Sequence, residues 1–289
     1  MAIKQYLSVN FARALAVLLL LSLVMAIAGC SDDAGGDKTT AATAKYEQII
    51  ADADKAEADL DYDKAIEIYE QALAEISDAD KEYEATYLNN LGLLYRQLAQ
   101  YDKAEPLYKQ ALAIDEEVLG KDHPEVATAC NNLASLYSDT NRLKEAEPLM
   151  LRALAINEKA LGKDHPNVAT NCNNLALLYC QTNRLNEAEP LMLRALAINE
   201  KSFGKDHPKV ALRQWSLAVL YQDTERLDKA GPLYERAIEI YQKFKRSTGH
   251  FHPHWQNIVD SYGDYLLQTG LSEDQADAKL KEIAPELFQ

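Results

Sequence analysis

Basic residues are scarce in this chain. Thirty Lys and Arg face 45 Asp and Glu, a formal net charge of -15. That deficit argues against nucleic acid as a partner and against general attraction to anionic lipid head groups. Cysteine is scarce as well. There are four, none in a CxxC pair, which leaves a zinc site or a dithiol redox centre without support. Nucleophile-elbow, phosphate-loop and zinc-protease patterns are all missing, and the many carboxylates are scattered without forming a recognisable catalytic pair. A repeat array without such a constellation offers no preorganised site, so no catalytic residue and no cofactor are expected.

The one long apolar run, Ala14 to Ala28, is too short for an ordinary spanning helix. Lys4 and Arg13 lie before it with no acid among them, and Ile27-Ala28-Gly29-Cys30 follows. That layout is secretory. It resembles a bacterial lipoprotein signal, which implies cleavage before Cys30 and lipidation of that cysteine. Several acyl chains anchor firmly where one is marginal. Loss of residues 1–29 would take the net charge from -15 to -17. Ser31 directly after the cysteine resembles an outer-membrane sorting signal, where aspartate would imply inner-membrane retention. Residues 30–44 read as a flexible tether. Export leaves Cys130, Cys172 and Cys180 as an odd set. Cys130 and Cys172 are one period apart at equivalent helix positions, so small buried apolar residues are expected over a bridge.

What is abundant is self-similarity. Asn89-Asn90-Leu91-Gly92-Leu93-Leu94-Tyr95 returns as Asn131 to Tyr137 and Asn173 to Tyr179, and more loosely as Trp215 to Tyr221, at a period of 42 residues. Alanines 104, 146, 188 and 230 follow, then Tyr108, Met150, Met192 and Tyr234, then Ala111, Ala153, Ala195 and Ala237. Small residues let two antiparallel helices approach, and the large ones fill the space between them. Asp102, Asn141, Asn183 and Glu225 lie near the turns within pairs. The joins between pairs are Gly120 to Pro124, Gly162 to Pro166 and Gly204 to Pro208. Glycine fits a left-handed helix end, proline the first turn of the next helix, and Asp or His before it a cap. Pro106, Pro148, Pro190 and Pro232 set shape within the second helices.

This order of residues resembles the tetratricopeptide repeat, in the extended form of the kinesin light chains and their bacterial relatives. The resemblance covers residues 82–245 well and 45–80 loosely. It implies an all-α, right-handed superhelical solenoid of about five helix pairs over 45–245. A degenerate closing pair over 246–289, with helices near 253–268 and 272–287, would cover the last apolar face. It further implies that the first helix of each pair lines a concave groove. Asn89, Asn90, Arg96, Asn131, Asn132, Asn173, Asn174 and Trp215 are the candidate groove residues. A carboxamide both donates to and accepts from a peptide backbone, so a ladder of them would hold an extended segment. The alternative is that one asparagine of each pair bonds to a neighbouring helix. Trp215 is either an aromatic anchor or packing against the closing pair. Mostly Asn, Thr and Ser stand where carboxylate-gripping relatives carry Lys and Arg, which disfavours such a clamp; Arg96 and Arg213 lie near the two ends.

His123, His165 and His207 read as parts of the joins, while His250, His252 and His254 read as an irregular loop more readily than as a metal site. The expected function is a membrane-anchored scaffold or adaptor on the periplasmic side, binding peptide segments of envelope proteins. The alternatives are a metal- or small-ligand-binding lipoprotein and a self-associating structural protein.

Overall fold

A computed structural model describes residues 41–77 and 80–284. Cys30 and the signal lie outside the described residues, as does the expected helical stretch beyond Ala284. Among the described residues are twelve helices: α1 Ala41–Ala58, α2 Tyr62–Glu75, α3 Lys81–Gln97, α4 Tyr101–Val118, α5 Pro124–Asp139, α6 Leu143–Leu161, α7 Pro166–Gln181, α8 Leu185–Phe203, α9 Pro208–Asp223, α10 Leu227–Thr248, α11 Trp255–Gln268 and α12 Glu273–Ile283. No strand occurs among the described residues. The first helix begins at Ala41, so the last four residues read as tether are helical. The chain divides into two compact units, with described residues 41–163 and 164–284.

In the first unit, α1 to α6 form three antiparallel pairs. Between α3 and α4 the approach is close enough that a Cβ on Gly92 would sit 2.9 Å from the Tyr108 ring. The next pair solves the same contact with Ala134 and a flexible Met150, both fully buried. Each turn inside a pair needs one residue with φ near +60°. Leu60, Ala99 and Asn141 supply it here, and Asn183 and Glu225 in the second unit. The first join places Gly120 at φ 86° and caps α5 with His123, whose Nδ1 accepts from the Glu125 N–H. Asp122 does not cap; it pairs with Lys159.

The second unit, α7 to α12, repeats this plan. His165 Nδ1 accepts from Asn167 N–H and His207 Nδ1 from Lys209 N–H, both at 3.1 Å. Asp164 pairs with Lys201, and Asp206 with Arg236 and Lys243. The fifth pair departs from the pattern at Gly231 of α10, where the second, third and fourth pairs carry Glu105, Glu147 and Glu189. A Cβ there would run into the Tyr265 hydroxyl, which instead donates to the Leu227 carbonyl. Ser272 and Gln275 form a reciprocal cap at the start of α12.

Tyrosines join one pair to the next inside each unit. Tyr95 Oη donates to Glu70, Tyr137 to Glu105, Tyr221 to Glu189 and Tyr262 to Glu235. Arg142 lies 4.0 Å over the Tyr137 ring and donates to Glu105; Arg226 lies 4.5 Å over the Tyr221 ring and donates to Glu189. These tyrosines are core residues whose hydroxyls also carry a polar connection.

Candidate functional site

The first helices α3, α5, α7 and α9 place the candidate residues, and nearly all are covered. Asn89 is half-buried, while Asn90, Asn131, Asn132, Asn173 and Asn174 are buried. Some carboxamides are used internally. Asn90 Nδ2 donates to Tyr69 Oη at 3.0 Å, and Asn132 Nδ2 to Asn89 Oδ1 at 3.3 Å. Others keep capacity: the Oδ1 atoms of Asn131 in the first unit, and of Asn173 and Asn174 in the second, have no hydrogen-bond partner among the described residues. A buried acceptor left without a donor is costly, so these oxygens are primed for an incoming N–H, from water or a ligand.

Arg96 is not an open cation. Its Nε bonds Asp139 at 2.5 Å, with 1% of the arginine and 6% of the aspartate side chain exposed. Trp215 is fully buried; its Nε1 donates to Ser261 of α11 at 3.1 Å, and its ring lies 6.1 Å from that of His254. It therefore packs at the closing pair in this conformation.

The histidine-rich segment is ordered by stacking and capping. His252 lies flat against Tyr241, 4.4 Å between ring centroids at 11°. Its Nδ1 accepts from His254 N–H at 3.2 Å, the same bond that His123, His165 and His207 make two residues along the chain. It is a fourth copy of the join cap, displaced by three inserted residues. Burial pushes both His252 and His254 down to about 4, so the rings are neutral at pH 7. No three His, Cys, Asp or Glu side chains converge as metal ligands among the described residues. Cys130, Cys172 and Cys180 are buried and joined in no disulfide among the described residues, and burial raises the Cys130 thiol to about 11 and that of Cys180 to about 12. Such thiols are inert.

Cavities among the described residues are open to solvent. One, of about 340 Å³, lies at the first join, and its charges already pair as Arg152 with Glu116 and Lys159 with Asp122. Another, of about 360 Å³, lies between α11 and α12 with Val259, Leu267 and Leu280 among acidic residues.

A model described as Tetratricopeptide repeat matches residues 53–117, 83–159, 125–201 and 171–243. The chain belongs to the tetratricopeptide repeat family. Among solved structures, the chain is similar to BtubC (BKLC) from P. vanneervenii at 28% identity, covering 73% of this chain and 83% of that one, with a TM-score of 0.61. It is similar to a putative kinesin light chain with nearly identical repeats from Podosopora anserina at 25% identity, over 70% of this chain and 97% of that one, with a TM-score of 0.56. Pseudomonas aeruginosa pilF shares the fold at 17% identity, over 84% and 100% of the two chains, with a TM-score of 0.52. No curated protein matches significantly. The kinesin-light-chain-like form of the repeat agrees with the 42-residue period. The fold is one of protein–protein interaction, and its members are typically scaffolds without enzymatic activity.

Proposed function

We propose that the chain is a lipid-anchored adaptor that captures peptide segments of envelope proteins on the faces of its first helices. The observation that carries this reading is the set of carboxamide oxygens on Asn131, Asn173 and Asn174 that lack an internal donor. A bound segment in extended form presents backbone N–H groups that such oxygens can accept from, whatever its side chains. Half-buried Thr128 and Thr170 border these positions and would select among segments. The anchor rests on the sequence Ile27-Ala28-Gly29-Cys30, and Ser31 favours the outer membrane, periplasmic side. A tether concentrates weak capture at the membrane surface.

The test is a crosslinking pull-down from native membranes with wild type and Asn131→Ala/Asn173→Ala. The reading expects a partner held by wild type and lost from the variant, with helicity unchanged by circular dichroism. Equal capture by both moves the site off these faces. Cys30→Ala is expected to move the protein from the membrane fraction to the soluble one; retention would remove the anchor from the account.

A further inference from the structure

Arg213 of α9 stands where the earlier copies carry Tyr87, Ala129 and Asn171. It is 4% exposed. Its Nη2 makes one long bond to Thr170 Oγ1, at 3.5 Å, while Nε and Nη1 have no acceptor among the described residues. The titratable groups close enough to act on it are the Tyr241 hydroxyl, the Cys172 thiol, the Lys209 ammonium and the His254 ring. No carboxylate is among them. Arg96, equally covered, has Asp139; Arg213 has no such partner.

A guanidinium cannot shed its charge at neutral pH. Burial lowers that of Arg213 only to about 10. Taken out of water without a counter-charge, it would strongly destabilise the fold. The surroundings supply none: Tyr241 is stacked on His252, and Lys209 adds charge of the same sign. They do supply further unpaired polar atoms, the Tyr241 hydroxyl and His254 Nδ1, to complete a ligand's hydrogen bonds.

We propose that Arg213 binds a monovalent oxyanion, a carboxylate, which enters beside Thr170. One guanidinium balances one negative charge, and its planar N–H groups match a carboxylate. Thr170 and Lys209 are only half-buried and give the way in. The carboxylate comes either as a free small anion or as the acidic side chain of a bound segment. The inference does not depend on backbone capture by the asparagines, because a free anion reads it alone.

The experiment follows the indole N–H resonances of the full chain, which has two tryptophans, Trp215 and Trp255. Sodium acetate is titrated against sodium chloride at matched ionic strength and pH 7, for wild type and Arg213→Met. A second arm uses a blocked pentapeptide with one glutamate against its glutamine counterpart. Saturable shifts with acetate in wild type, at least tenfold weaker in the variant, support a free anion. Shifts with the glutamate peptide alone, again only in wild type, support a side-chain carboxylate. Wild-type resonances that ignore both probes would overturn the inference and leave a buried water at Arg213, and equal responses in both proteins would overturn it too. The wild-type arms decide even where the variant fails to fold.

Discussion

Asp115 offers a quantitative test of the repeat register. It lies on α4 and is 4% exposed. One and two periods later the same position holds Asn157 and Asn199, also buried. Asn199 Nδ2 donates to the Lys209 carbonyl at 3.4 Å, across a join. An ionised carboxylate cannot donate. Burial, with the charges of Glu125 and Glu82, pushes the Asp115 carboxyl up from 3.8 to about 7. In the folded protein it therefore holds its proton where the unfolded chain has lost it. Folding binds a proton between about pH 4 and 7, so stability falls as pH rises through that window. The rise from 3.8 to about 7 corresponds to a ceiling of about 4 kcal/mol, and relaxation and water penetration reduce the expected effect to about 2 kcal/mol. Asp115→Asn supplies the donor permanently. Its gain should be close to zero at pH 4 and largest at pH 8. Urea midpoints of wild type and variant at both pH values measure the difference, with other titrating groups cancelling in the comparison. A gain that is the same at both pH values, or a loss at pH 8, would refute the reasoning.

Further expectations rest on other contacts. Gly92→Ala should cost about 1–3 kcal/mol because its Cβ meets the Tyr108 ring, and adding Tyr108→Met should recover most of that by reproducing the alanine–methionine contact of the next pair, as a thermal-melt double-mutant cycle would show. Asp139→Asn should destabilise by about 3 kcal/mol by leaving the buried Arg96 charge unmatched, whereas Arg96→Met/Asp139→Leu should be near neutral; denaturant midpoints decide. His252 has a folded-state value near 4 against 6.5 unfolded, so the stability it contributes is present above pH 6.5 and lost as pH falls toward 4. Hydrogen exchange in α11 and α12 should rise over that interval in wild type and less in His252→Phe.

The fold was legible because its signals recur. Small residues at Gly92, Ala134, Ala176 and Ala218, and prolines at 124, 166 and 208, mark helix contacts and starts that the structure places one period apart. What stayed hidden is pairing over long sequence distances and change within a repeat. Arg96 finds Asp139 on the next first helix, a contact that no local spacing announces. The His252 cap was masked by three inserted residues, though His-Pro at 252 and 253 is the signal that could have revealed it. Ala99 takes the left-handed turn that Asn141 and Asn183 advertise, without any sequence preference for it. For Trp215 the sequence left an aromatic anchor and packing against the closing pair equally open; the contact that bears on the choice, with Ser261, lies 46 positions away. Asp115 carried a readable clue in the series Asp, Asn, Asn.

The most direct test of the adaptor reading is site-specific photocrosslinking in native membranes. One probe replaces Thr128, on a first helix beside Asn131; the other replaces Leu151, exposed on the second helix of the same pair. The account expects a discrete protein adduct from Thr128 and none from Leu151. Adducts from Leu151 with none from Thr128 would contradict it.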